Sequence, residues 1–101
     1  MNYINIVTKY LEFLDVTFGK EANMKFTKHS MQELLRYSLC LNFGLQSNPS
    51  STLARVYAKK CSKYIFGGKT HKHMETEKKQ AVIEACMISL DKAFDKAKKG
   101  E

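Results

Sequence analysis

The chain has 101 residues, with 17 Lys and Arg against 10 Asp and Glu, a net charge of +7. That length supports one hydrophobic core, and so one domain over residues 1–101; it excludes large barrels and two-domain doubly wound folds. With 44% hydrophobic and 27% charged residues, the composition is ordinary for a globular chain and argues against bulk disorder.

Five glycines, at 19, 44, 67, 68 and 100, punctuate segments of helical periodicity. A glycine just past the last periodic residue marks a helix C-terminus. The expected fold is therefore all-α, with four helices. The first is expected over Tyr3 to Phe18, capped by Asn2, with Ile4, Val7, Leu11, Leu14 and Phe18 as its apolar stripe. A short strand over Tyr3 to Val7 is the alternative, because Ile4 and Ile6 alternate with polar neighbours. Residues from Lys20 to His29 read as a connection, with a brief extended piece around Met24 to Phe26.

The second helix is expected to open at Ser30, since Ser30 and Glu33 have the spacing of a capping box. Met31, Leu34, Leu35, Ser38, Leu39 and Leu41 form its apolar face, and Gly44 ends it. Residues 44–48 form the turn. The third helix spans Pro49 to Phe66, with Asn48 or Ser50 as its cap and Pro49 in the first helical position. Leu53, Val56, Tyr57, Cys61, Tyr64 and Ile65 are expected to face inward. A long fourth helix begins between Thr70 and Thr76 and runs to Lys99. Ile83, Met87, Leu90 and Phe94 alternate steps of four and three along it, a short heptad-like seam. A helix of about 25 residues is near 38 Å long, more than a globule of this size spans comfortably. The seam is therefore expected to be partly bare and to form a homodimer interface.

Charge is distributed unevenly. From Leu34 to Met74 there is no Asp or Glu, while Arg36, Arg55, Lys59, Lys60, Lys63, Lys69 and Lys72 supply seven positive charges. The remaining residues carry ten of each sign, so the whole excess lies in this stretch. One sign concentrated without counter-charge suits a polyanion, because each neutralised phosphate releases condensed counterions. The second and third helices also have the outline of a helix-turn-helix unit, in which the start of the second helix of the pair reaches base edges. Ser50, Ser51, Thr52 and Arg55 would be those readers; Lys59, Lys60, Lys63, Lys69, His71 and Lys72 would take phosphates. Arg55 is the candidate base reader, since Arg pairs with guanine through O6 and N7. Tyr57 and Tyr64 lie on the same helix and are expected to pack in the core, with stacking on an unpaired base as the alternative.

Other chemistries fail on spacing. Gly68-Lys69-Thr70 resembles the end of a phosphate-binding loop, but that motif needs Gly at position 63, where Lys63 stands. Cys61, His71 and His73 match no structural zinc spacing. Cys40, Cys61 and Cys86 are odd in number and lie in helical or apolar stretches, so they read as small buried hydrophobes in a reducing, cytoplasmic setting. No basic-then-apolar leader begins the chain, and no apolar run nears the roughly 20 residues a membrane span requires. The expectation is a DNA-binding regulator, with duplex DNA favoured over RNA and with no enzymatic activity, metal or cofactor. The alternative is an inhibitor or adaptor that docks its basic face on an acidic protein.

Overall fold

The computed structural model describes residues 2–19 and 26–99. Four helices run in chain order, α1 (Tyr3–Phe18), α2 (Lys28–Phe43), α3 (Thr52–Phe66) and α4 (Thr76–Lys99). No strand occurs among the described residues. The strand alternative over Tyr3 to Val7 is excluded: Asn2 accepts the Ile4 N–H at 2.9 Å and starts a helix there. The extended piece around Met24 to Phe26 falls largely outside the described residues.

The face that α1 buries is rotated from the expected one. Ile6, Val7, Tyr10, Phe13 and Leu14 are buried, whereas Ile4 is 56% and Leu11 37% exposed. The helix carries apolar residues on most of its circumference, and two stripes share Val7 and Leu14. The stripe with the Tyr10 and Phe13 rings removes more apolar area from water and prevails. The Tyr10 hydroxyl donates to the Met31 carbonyl, tying α1 to α2 within the core.

Helix α2 starts earlier than the expected capping box. Thr27 is its cap, accepting the Ser30 N–H at 3.0 Å. Ser30 therefore lies in the first turn, and Glu33 is released for another partner. At the far end Gly44 adopts φ 72°, with its own N–H directed to the Cys40 and Leu41 carbonyls. The Leu45 N–H reaches Cys40 O at 2.9 Å, completing a Schellman-type closure that needs a left-handed residue at 44.

Helix α3 starts later than expected. Ser51 is the cap, accepting the Ala54 N–H at 3.0 Å, and Pro49 lies before the helix rather than at its first position. Its buried residues are Leu53, Ala54, Ala58 and Cys61. Val56, expected inside, is 60% exposed, and Tyr64 is 38% exposed. The small side chains of Ala54 and Ala58 let α3 approach α2 closely, while Ser38 on α2 is fully buried and donates to Leu34 O at 2.6 Å. A stripe chosen by side-chain size points away from this alanine face.

Helix α4 packs against α1 and α2, and its seam turns inward. Ile83, Cys86 and Leu90 are buried in the common core, with Met87 and Phe94 packed against it. Of the four residues expected to meet a second chain, Ile83 and Leu90 are covered by α1 and α2 of the same chain, whereas Met87 and Phe94 are only partly buried. The molecule measures 41 × 25 × 24 Å, so its long dimension accommodates an α4 of about 36 Å. Lys28 on α2 pairs with Asp91 at 2.6 Å and Asp95 at 3.5 Å, and Gln32 donates to Asp91 at 3.2 Å. No described helix is long and apolar enough to cross a membrane.

Candidate nucleic-acid interface

Arg36, Arg55, Lys59, Lys60, Lys63, Lys69 and Lys72 are all exposed. Among the described residues none of the seven forms an ion pair, unlike Lys9, which meets Glu12, and Lys28, which meets Asp91. Lys59 and Lys63 stand one turn apart on α3, and Lys69 lies on the loop that follows. These three, with Ser62, Thr70 and Asn42, line one groove of about 320 Å³. Three ammonium groups with hydroxyl and amide neighbours offer an anion charge and hydrogen bonds together.

The loop that completes the groove is held from α2. Gly67 and Gly68 take φ 62° and 89°, the left-handed conformation that allows the chain to turn off α3. The Asn42 side chain, itself buried, donates from Nδ2 to Lys69 O at 2.6 Å. Its oxygen is then the acceptor for His71 Nδ1 at 2.8 Å, which places the ring proton on Nδ1. The His71 backbone N–H also reaches Asn42 O at 3.3 Å. The imidazole packs edge to ring against Phe43 and at 5.3 Å from the Phe66 centroid. His71 is thus half-buried and serves the loop's shape. It lines a separate groove with Asn5, Ile65, Phe66 and Met74, away from the three lysines.

Lys72 belongs to the same loop, and its stem lies against Gly44, where a Cβ would come within 3.1 Å of Lys72 Cγ. Its carbonyl accepts from the ammonium of Lys79 at 2.7 Å, and Lys79 is only 7% exposed. Lys60 is exposed on α3 but does not line the groove.

The N-terminal end of α3 differs from the sequence expectation. The Glu33 carboxylate accepts the Ser51 N–H at 2.8 Å, the Ser50 N–H at 3.3 Å and the Ser50 hydroxyl at 2.8 Å. These bonds, led by the Ser51 N–H and then the Ser50 hydroxyl, hold its carboxyl down to about 2. Ser51 Oγ is taken by the cap. Two of the four expected base readers are therefore engaged within the chain, and a carboxylate occupies the positive end of the helix dipole. Thr52 and Arg55 remain exposed. The connection from α2 to α3 covers residues 44–51, longer than the three to four residues of the DNA-binding motif.

The sequence reading gave Glu33 to a capping box with Ser30 rather than to Ser50 and Ser51, and it did not single out Asn42. Glu33 is the last acid before the acid-free stretch, but nothing in its local spacing pointed to Ser50 and Ser51, 17 and 18 residues on. Asn42 carried no signal, because its partners lie 27 and 29 residues further on. The tyrosines divide: Tyr57 packs on Phe18 at 4.9 Å, while Tyr64 sits at the surface beneath Lys9. Cys40, Cys61 and Cys86 are free thiols and buried; burial pushes Cys61 and Cys86 up to about 12. The chain matches no known family model, no curated protein and no solved structure.

Proposed function

We propose that this chain is a small nucleic-acid-binding protein acting as a DNA-binding regulator, which grips the phosphate backbone with Lys59, Lys63 and Lys69. The observation that carries this reading is the convergence of three unpaired lysines on one groove, within a stretch free of acidic residues. Affinity then comes mainly from phosphates and tolerates sequence variation. Arg55, exposed one turn into α3, is the remaining candidate for reading a base edge. Glu33 beside Ser50 and Ser51 favours one competing function, docking of the basic face on an acidic protein, because a carboxylate there opposes phosphate approach to the helix end.

The test is a gel-shift salt series on duplex DNA, single-stranded DNA and RNA. Three phosphate contacts give a slope near −2.7 and an affinity loss of about 40-fold between 50 and 200 mM salt. The triple replacement of Lys59, Lys63 and Lys69 by Ala should flatten that slope while the chain stays folded. If no nucleic acid binds with salt sensitivity, the proposal fails, and retention of an acidic protein by the same face would establish the competitor.

A further inference from the structure

A second surface lies outside the basic stretch. Tyr3 and Ile4 on α1 and Ala85, Ile88, Ser89 and Lys92 on α4 line a shallow groove of about 330 Å³. Ile4 and Ile88 are each 56% exposed and Tyr3 is 42% exposed. Two isoleucines this open in one groove form an apolar patch that the other described residues leave uncovered, and such patches mark interaction sites.

We propose that this face is the interface of a homodimer, in which α4 packs antiparallel on α4 of a second copy about Ile88. The charges around the patch select this occupant. Glu84 lies four residues before Ile88 and Lys92 four residues after it; both are exposed, on the same side of the helix. A two-fold axis at Ile88 brings each Glu84 opposite Lys92 of the partner subunit, twice by symmetry. A parallel arrangement would instead set like charges against each other. A self-complementary surface is what an isologous interface requires. The apolar centre supplies the contact, with Ile88 meeting its own copy and Ile4 closing one flank. The interface uses residues displaced from the Ile83 and Leu90 row, which the chain's own core buries. It leaves Lys59, Lys63 and Lys69 uncovered, so it does not depend on the nucleic-acid proposal.

The test is sedimentation velocity on the full chain across a concentration series up to about 200 μM, where an interface of small area is still populated. Circular dichroism would establish that each variant is folded. Wild type should dimerise, and Ile88→Asp should be monomeric throughout. Glu84→Lys and Lys92→Glu should each weaken the dimer about tenfold, because each opposes like charges at both symmetric contacts. An equimolar mixture of the two single variants should recover wild-type affinity, since one then carries positive charge at both positions and the other negative. That recovery separates a charge-paired interface from damage to the fold. A wild type that is monomeric at the highest concentration overturns the proposal. So does a dimer indifferent to Ile88→Asp, or single reversals that fail to recover on mixing.

Discussion

Replacing Glu33 with Gln tests the joint between α2 and α3 with a single added hydrogen-bonding change. The carboxylate accepts three hydrogen bonds from Ser50 and Ser51, and its carboxyl is held at about 2 rather than the ordinary 4.5. Each pKa unit corresponds to about 1.36 kcal/mol, so the ceiling is about 3 kcal/mol. The side chain is 18% exposed and the Ser50 hydroxyl can turn to water, which lowers the expected cost to about 1–2 kcal/mol. For a domain of this size that is a drop in Tm of roughly 5–12 °C at neutral pH. The sign with pH follows from the lowered value. The stabilisation is complete above the unfolded carboxyl's 4.5 and is lost as pH falls through the folded value of about 2. Thermal melts of both proteins by circular dichroism, from pH 7 down to about 2.5, should show the gap between them closing by more than half. Every other carboxylate is common to both chains and cancels in the difference. A variant that melts within about 1 °C of wild type at pH 7, or a gap that does not narrow on acidification, would refute the assignment.

Asn42→Ala should cost about 1–3 kcal/mol by urea denaturation and open residues 67–74 to limited proteolysis, because it removes the buried amide that holds Lys69 and His71. Leu53→Ala should cost about 2–5 kcal/mol and Val56→Ala less than about 0.5, although the two residues are three apart on one helix; equal costs would contradict the orientation of α3. The native thiols should resist alkylation at pH 8, with Cys61 and Cys86 reacting only as fast as the chain opens, since burial keeps them protonated; fast labelling of either would show that its helix is mobile.

Helix ends were legible where glycine set them: Gly44 and Gly67 each take a left-handed turn immediately after the last helical residue. Helix starts were less so. Ser30 and Ser50 each had a competent neighbour, Thr27 and Ser51, and the choice depends on where the chain is led by tertiary packing. The rotation of α1 was ambiguous because Ile4 and Ile6 both continue plausible stripes, and only the rings of Tyr10 and Phe13 decide between them. On α4, periodicity marked Ile83 and Leu90 for burial but carried no information on which surface would bury them. The charge asymmetry was readable from composition alone. The convergence of Lys59, Lys63 and Lys69 was not, because it rests on a loop folded back by an asparagine one helix away.

Several polar ties of the molecule start on α2, and their spans along the chain bear on the order of assembly. Glu33 reaches residues 17 and 18 positions away, and Asn42 reaches 27 and 29. Gln32 must wait for Asp91, 59 positions on, and the contact of Cys86 with Tyr3 closes 83. Loop closure is cheapest for the short spans, so α2 and α3 are expected to join first, followed by α1, whose Tyr10 reaches Met31 across 21 positions, and by the basic loop. Docking of α4, whose ties span 59 and 83 positions, is then expected last, and its release first on unfolding. Native-state hydrogen exchange should place α2 amides among the slowest, exchanging only through global unfolding, and α4 amides in a faster class of their own.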